Sequence, residues 1–242
     1  MSQPAAAIVR IASGLSRELA ALHPAATLAF TYDPIQYAWS AHRAYCLMAR
    51  ARPRALFVGM NPGPFGMAQT GVPFGEVAAV REFLGIDAPI RPPRLQHPRR
   101  PIEGFACGRS EVSGRRFWGL MRDAFGTRGE FFRHAFVWNW CPLAFLGTSG
   151  ANITPDKLPA SVRGPIEEAC DRALVRIVRA LEPGMVIGVG GFARDRALGV
   201  LPPATSVHTV LHPSPASPAA NRGWARQARA QLVACGFLDR SS

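Results

Sequence analysis

Four short apolar segments, each ending in a polar or Gly/Pro-containing turn, constrain the fold of this 242-residue chain most strongly. Stretches with helical spacing of apolar residues separate these segments, which favours strands alternating with helices. Such an alternation predicts an α/β fold, here a three-layer α/β/α sandwich around a central, mainly parallel four-stranded sheet. The predicted strands cover residues 54–59, 135–138, 185–189 and 206–211.

The expected helices cover residues 8–22, 37–48, 165–181 and 218–235, and the third begins with Pro165 at its start. Because a chain of this length can bury one sizeable core, a single domain over residues 1–242 is expected. Residues 87–108 contain five prolines and four arginines, and they indicate an irregular basic excursion within that domain.

The charge balance points to a polyanionic partner. Lysine and arginine total 28 against 16 acidic residues, giving a net charge of +12 and an isoelectric point near 11.0. Residues 91–133 hold ten arginines and four acidic residues, which is half of the net excess. This pattern is typical of nucleic-acid-binding proteins, although solubility alone is the alternative interpretation.

Cysteine spacing and hydropathy limit the other classes of function. The five cysteines are widely spaced and form no Cys-x-x-Cys pair, so we expect neither a disulfide framework, nor a metal site, nor an iron–sulfur cluster, and no other cofactor. No apolar run approaches the roughly 18 residues that a membrane helix needs. We therefore expect a soluble intracellular protein with no membrane partner, in the cytoplasm or nucleoid of a bacterium or the nucleus of a eukaryote.

Ligands of parallel sheets bind where the carboxyl ends of strands open into loops, and three such loops begin at Gly59, Asn139 and His212. The first loop, residues 59–67, contains three glycines and two prolines, so it is rigid. A phosphate cradle and a plain turn are its alternative interpretations, but the Gly-Lys-Ser/Thr end of a P-loop is missing. His212 begins a loop with three prolines in six residues; a lone histidine is otherwise more often a structural residue.

Taken together, these loops resemble a known family. Residues 59–76, ending in Gly-Val-Pro-Phe-Gly-Glu, and residues 212–224, beginning with His-Pro-Ser-Pro, resemble the two signature motifs of family 3 uracil-DNA glycosylases, the single-strand-selective monofunctional type. Residues 139–143, Asn-Trp-Cys-Pro-Leu, are similar to the third segment of that family. The resemblance implies an enzyme of base excision repair that hydrolyses the N-glycosidic bond of uracil in DNA.

Two residues match the catalytic positions of the family. The resemblance implies that Asn61 orients the attacking water, and an amide can position a water although it cannot take its proton. His212 would donate a hydrogen bond to O2 of the departing uracil as negative charge develops there. Removal of such a donor commonly costs about 10²–10³ in rate.

Four residues match the substrate-binding positions. Asn139 would present a donor and an acceptor to O4 and N3–H of uracil, and Phe74 would stack on the flipped base. Met60 and Gly63 would lie beside the C5 edge of the base, where a wall of backbone atoms leaves room for a small polar group. The resemblance therefore also implies 5-hydroxymethyluracil or other 5-substituted uracils as substrates.

The resemblance places a DNA-contacting loop after His212. Its residues are Pro213, Ser214, Pro215 and Ala216, with Arg222 as a phosphate contact. The family has a basic residue where Ala216 stands, so this chain departs from the pattern at the position that presses into a duplex. The expected partner is uracil-containing DNA, single- or double-stranded, bound by a monomer.

Other features restrict the chemistry further. Lys157 is the sole lysine and lies outside the motifs, which favours base removal without a lyase step, since lyases need an amine for a Schiff base. A non-catalytic nucleic-acid-binding protein of the same fold is the main alternative. A nucleotide- or phosphate-handling enzyme is the third, and it would need Mg²⁺ and a Walker-type lysine.

Overall fold

The computed structural model describes residues 2–22 and 28–239. Its strands are β1 (Phe30–Tyr32), β2 (Ala55–Gly59), β3 (Ala135–Asn139), β4 (Ala144–Leu146), β5 (Asn152–Ile153), β6 (Met185–Val189) and β7 (Val207–Val210). Its α-helices are α1 (Gln3–Ala21), α2 (Pro34–Tyr37), α3 (Trp39–Cys46), α4 (Met67–Thr70), α5 (Val112–Phe125), α6 (Arg128–His134), α7 (Ala160–Leu181), α8 (Gly191–Val200), α9 (Pro218–Asn221) and α10 (Trp224–Ala234).

A parallel four-stranded sheet in the order β3-β2-β6-β7 forms the centre of the molecule. Every residue of β2 and β3 is buried, as expected for a parallel sheet that is covered on both faces. The predicted α/β fold and its four strands are confirmed. Strand β2 pairs with β3 on one side and with β6 on the other, so the order in which the chain adds strands to the sheet reverses at β2. Ligands of such sheets bind at this switch point.

Two groups of helices surround the sheet. Helix α1 packs along α7 and also contacts α2 and α3, while α5 contacts α6 and α10. Aromatic rings fill the core between elements: Phe57 of β2 meets Phe117 of α5 and Phe237 edge-on, with centroids 5.5 and 5.0 Å apart. The core thereby fixes β2 and α5, the two elements that lead into the cavity described below.

Three predicted helices differ from the structure. Helix α7 begins at Ala160, so Pro165 lies inside it and not at its start. Proline has no backbone N–H, so one hydrogen bond of the helix is lost near its exposed first turns. Burial of the long apolar face of α7 outweighs this loss. The helix expected over 37–48 corresponds to the shorter α3, and a separate short helix, α2, precedes it and ends at Tyr37. The closing helix is divided into α9 and α10 at Gly223, whose φ of +86° is readily adopted by glycine.

A second, antiparallel sheet in the order β1-β4-β5 was not predicted. Its strands have two or three residues each, which is too short for an alternation pattern to be recognised in the sequence. The basic excursion 87–108 is irregular as predicted, apart from a 3-10 turn at Gly104–Ala106 and one bridge between His97 and Arg100. Helices α5, α6 and α8 lie between the central strands, where helical segments were expected but no bounds were predicted.

All five cysteines are free thiols, and Cys46, Cys107, Cys141 and Cys170 are buried. Among the helices of residues 2–22 and 28–239, none has both the length and the apolar character needed to span a bilayer.

Candidate active site

A cavity of about 490 Å³ lies at the carboxyl ends of the central strands. This volume is in the range of small-molecule sites, about 300–1,000 Å³. Residues at or just after the ends of β2, β3 and β7 contribute to its wall, as the strand-end rule predicted. The lining residues are Met60, Asn61, Gly63, Pro64, Phe65, Phe74, Ser110, Glu111, Val112, Ser113, Asn139, Asn152, Thr154, His212, Ser214 and Pro215.

The cavity brings together all six residues predicted to be catalytic or to bind the base: Met60, Asn61, Gly63, Phe74, Asn139 and His212. Of the five residues predicted to contact DNA, only Ser214 and Pro215 line it. Pro213 is buried beside the cavity, while Ala216 and Arg222 lie exposed on the surface beyond it.

Gly59, the last residue of β2, allows two of the lining side chains to converge. A Cβ atom at Gly59 would overlap Oδ1 of Asn139 and would lie 2.8 Å from the Phe74 ring. Gly59 and Asn139 are also direct partners across the β2–β3 pair. The absent side chain is thus the reason that the Asn139 amide and the Phe74 ring reach the same corner of the cavity.

Asn139 is buried, and its amide is held in one orientation by a weak acceptor. Nδ2 of Asn139 donates to Sδ of Met67 in α4 at 3.2 Å. The backbone ladder continues past the strands, since the N–H groups of Trp140 and Cys141 donate to the carbonyl oxygens of Gly59 and Met60 at 2.8 and 2.9 Å. These bonds fasten the loop after β3 to the loop after β2.

Phe74 is held as one wall of the cavity. Its ring stacks on Phe117 of α5 with centroids 4.8 Å apart and an interplanar angle of 17°. Its φ is +52°, a left-handed conformation that costs a non-glycine residue free energy and that persists where the surroundings enforce it. The preceding turn is fixed by Trp118, whose Nε1 donates to the Pro73 carbonyl at 3.2 Å.

Asn61 lies in the rigid loop after β2 and is half-buried. Its Nδ2 atom is buried and has no hydrogen-bond partner in the protein. An unpaired buried amide donor costs about 1–3 kcal/mol, so such groups at a cavity wall favour a bound polar molecule. Asn61 therefore offers a free donor to whatever occupies the cavity.

His212 faces the cavity as a neutral imidazole. Nδ1 accepts a hydrogen bond from the Ser214 backbone N–H at 3.1 Å, which assigns the ring proton to Nε2. Burial lowers the pKa of His212 to about 4, so the ring is uncharged at neutral pH. Gly190 at the end of β6 permits this placement, because a Cβ there would lie 3.2 Å from Cβ of His212.

The loop after His212 is bound to α5 and α9 at several points. Arg116 donates from Nη1 to the Pro213 carbonyl and from Nη2 to Oδ1 of Asn221, both at 3.0 Å. Asn221 in turn donates to the Pro215 carbonyl at 2.7 Å. The loop is thus a stiff rim of the cavity with Ala216 at its exposed tip.

Glu111 also lines this cavity, and the sequence analysis did not predict a functional role for it. It stands at the N-cap of α5 without capping it, and its Oε2 atom is buried without a hydrogen-bond partner. Burial, assisted by the nearby charge of Glu76, raises the pKa of Glu111 to about 7. Only the apolar spacing of the helix that follows could have drawn attention to this position.

Asn152 and Thr154 also line the cavity and were not predicted. They come from β5 and the turn after it, so their presence depends on the small antiparallel sheet. Within residues 2–22 and 28–239, no cluster of three or more His, Cys, Asp and Glu side chains is arranged to hold a metal ion. The site can bind a small planar group between an aromatic wall, two amides, an imidazole donor and a carboxyl group.

Comparison with known proteins agrees with this geometry. The family model of the Uracil DNA glycosylase superfamily matches residues 48–233. The chain is 49% identical to the single-strand selective monofunctional uracil DNA glycosylases of Bos taurus and Mus musculus over 93% of its length, covering 84% and 82% of those proteins. The crystal structure of wild-type SMUG2 from Pedobacter heparinus shares the fold, with a TM-score of 0.62 at 16% identity over 85% of this chain and 86% of that one. The chain therefore belongs to the uracil DNA glycosylase superfamily, in the family of the single-strand selective monofunctional enzymes.

Proposed function

We propose that this protein is a monofunctional DNA glycosylase that hydrolyses the N-glycosidic bond of uracil in base excision repair. The observation that carries the proposal is the convergence of Asn61, Asn139 and His212, from three separate strand ends, on one cavity. The 49% identity to relatives named as uracil DNA glycosylases supports the same reaction. A non-catalytic DNA-binding role would give no reason for two unpaired polar atoms in a buried cavity.

The proposed mechanism assigns one face of the deoxyribose to Asn61. Hydrolysis of an N-glycosidic bond passes through a sugar with oxocarbenium character, so a weak nucleophile is sufficient. The free Nδ2–H of Asn61 can hold a water in line with C1′. Its contribution is positioning, which removes much of the entropic cost of the attack.

His212 acts at the departing base in this proposal. The electrons of the broken C1′–N1 bond move into the pyrimidine, and charge develops on O2. Nε2–H of the neutral His212 donates a hydrogen bond to that oxygen, an oxyanion-type stabilisation. The low pKa supports this role, because the ring stays a neutral donor throughout the physiological range.

Asn139 and Phe74 select and hold the base in this proposal. The Asn139 amide pairs with O4 and N3–H of uracil, whereas cytosine presents the opposite pattern and is refused. The bond from its Nδ2 to Met67 supports one fixed orientation of that amide. Phe74, already stacked on Phe117, would stack on the base with its other face.

The backbone wall at Met60 and Gly63 supports activity on 5-hydroxymethyluracil and other 5-substituted uracils. The DNA partner, single- or double-stranded, would meet the rim formed by Pro213, Ser214, Pro215 and Ala216. A flipped nucleotide costs a few kcal/mol to extract, least from single strands or mispairs. Arg222 is exposed beside this rim, where it can contact a phosphate. The protein would act as a monomer.

An excision assay tests the proposal. Purified protein is incubated in EDTA with a single-stranded oligonucleotide containing one uracil, and alkali then cleaves any abasic site. We expect cleavage at the uracil, none at a cytosine in the same position, and none without alkali. Absence of abasic sites in both single and double strands would remove the glycosylase proposal.

A further inference from the structure

The mechanism above leaves one buried titratable group of the cavity without a role. Glu111 lines the same cavity as Asn61 and His212. Its Oε2 atom is buried and accepts no hydrogen bond, and within the described residues no arginine, lysine or histidine forms an ion pair with it. A carboxyl group that is kept from water and left unpaired is costly, so its presence calls for a ligand.

Packing against two loop glycines fixes the position of this carboxyl group. A methyl group at Gly63 would overlap Oε1 of Glu111, and one at Gly66 would overlap Oε2. Both glycines belong to the same rigid loop that carries Asn61. The Glu111 carboxyl therefore lies directly against that loop, held by shape and not by a counter-charge.

The two unpaired atoms of the loop region are complementary. Nδ2 of Asn61 is a buried donor without an acceptor, and Oε2 of Glu111 is a buried acceptor without a donor. A water molecule bound between the two groups would satisfy both, since a buried water typically makes about three hydrogen bonds. The Asn61 amide cannot accept a proton from such a water, whereas a carboxylate can.

We propose that Glu111 is a catalytic residue of this chain: its carboxylate accepts a hydrogen bond from the water that Asn61 positions, and it takes the proton which that water loses. The inference rests on the role proposed for Asn61. As the water oxygen bonds to C1′, one O–H bond breaks and its proton passes to Oε2. The C1′–N1 bond breaks at the same time, and its electron pair leaves with the base, whose O2 is bound by His212.

The electrostatic surroundings support this role. With the pKa of Glu111 raised to about 7, chiefly by burial, the group is a stronger base than an ordinary carboxylate and is still half ionised at neutral pH. The charged group that acts on Glu111 is Glu76, and the titratable group that shares its cavity is His212. His212, with a pKa of about 4, does not titrate between pH 6 and 8.

The test uses the conservative substitution Glu111→Gln, which keeps the shape packed against Gly63 and Gly66. Single-turnover excision of uracil from a single-stranded oligonucleotide is measured from pH 5.5 to 8.5, with oligonucleotide binding measured in parallel. The wild-type rate should rise with pH through about 7. Glu111→Gln should lose about 10²–10⁴ in rate, lose that rise, and bind the oligonucleotide as before.

Glu76→Gln is the matched control. Glu76 is the neighbouring carboxyl group, and its Oε2 accepts a hydrogen bond from the Ala79 N–H outside the cavity. Because this variant removes a negative charge near Glu111, its pH midpoint should move to lower pH while its plateau rate stays at the wild-type level.

A wild-type rate in Glu111→Gln would overturn the inference, and so would a reduced rate that keeps the wild-type pH profile, since that would indicate a structural role. Asn61→Ala is measured alongside. If it keeps the wild-type rate, the role proposed for Asn61 fails together with the inference. If Asn61→Ala is impaired and Glu111→Gln is not, only the role of Glu111 is overturned.

Discussion

At the residue scale, the cavity depends as much on absent side chains as on present ones. Gly59 leaves room for Asn139 and Phe74, Gly190 for His212, and Gly63 for Glu111. All four of these contacts join residues that are more than ten positions apart in the sequence. A glycine in a loop is usually explained by backbone freedom, but Gly59 and Gly63 have no left-handed backbone and are explained by close approach.

Gly59→Ala tests this point. The added methyl group would overlap Oδ1 of Asn139 and press on the Phe74 ring, so we expect a loss of about 1–3 kcal/mol in the free energy of unfolding and a marked loss of uracil excision. Chemical denaturation and single-turnover kinetics measure the two effects.

Gly119→Ala is the control, because nothing lies within 4 Å of its Cβ position in α5. Alanine in a helix should stabilise the protein by about 0.5–1 kcal/mol and leave excision unchanged. Equal stability and activity in the two alanine variants would contradict the account of Gly59.

The site residues could be predicted unevenly from the sequence. Asn61, Asn139 and His212 each follow an apolar strand, so the strand-end rule and the motifs together identified them. Glu111 follows no strand and belongs to no motif that was recognised. Its place in the cavity arises from a tertiary contact between α5 and the loop after β2, which no local pattern encodes.

At the element scale, the rim loop is positioned by α5. Arg116 donates hydrogen bonds to the Pro213 carbonyl of this loop and to Asn221 of α9, whereas the adjacent Arg115 donates to Ser110 on its own segment. The loop also continues directly into His212, whose Nδ1 is held by Ser214. Stiffness of the rim and orientation of the imidazole are therefore coupled.

Arg116→Ala should release the rim. We expect faster amide exchange over residues 213–221 and a reduction of about tenfold or more in single-turnover excision, since charge-assisted hydrogen bonds contribute about 1.5–3 kcal/mol each when well formed. Arg115→Ala removes the same charge without touching the loop, so it controls for electrostatic attraction to DNA. Equal losses in both variants would show that Arg116 acts through charge alone.

The elements themselves were predictable where their patterns were long. The four central strands were found because each is a short apolar run that ends in a turn, and the opening helix because its apolar residues recur at helical spacing. The two- and three-residue strands β1, β4 and β5 are defined by their partners across the sheet, as in the pairing of Phe30 with Leu146. Tertiary pairing, and not local propensity, determines such elements.

At the scale of the whole molecule, buried ionisable groups set the dependence of stability on pH. Burial lowers the pKa of His42 and His212 to about 4. In the window from pH 6.5 down to 4, the unfolded chain binds protons at these histidines that the folded chain does not bind. Stability therefore falls as pH decreases through this window.

For the fully buried His42 the loss is on the order of 3 kcal/mol. Glu111 acts in the opposite sense: its folded pKa is raised to about 7, so its burial destabilises the protein increasingly as pH rises from about 4.5 to 7. Urea unfolding of the wild type between pH 4 and 8 should show stability increasing from pH 4 towards 6.5.

Glu111→Gln separates the two contributions. This variant should be more stable than the wild type at pH 8, and the difference should shrink towards pH 4.5. Parallel curves for the two proteins would contradict the buried state of the carboxyl group. A wild-type curve without acid destabilisation would contradict the buried neutral state of the two histidines.

The net charge of +12 is also a property of the whole molecule, and it concerns binding more than chemistry. Contacts between arginines and phosphates depend steeply on salt and do not involve the cavity. DNA affinity and base excision can therefore be lost separately, which the final test exploits.

The central claim is that Asn61 and His212 act on opposite sides of one nucleotide. Its most direct test is single-turnover excision of uracil by the wild type, Asn61→Ala and His212→Ala, with salt-dependent oligonucleotide binding measured on the same preparations. We predict that each variant loses about 10²–10³ or more in rate while it keeps wild-type binding and the same salt dependence. Wild-type excision rates in both variants would contradict the account.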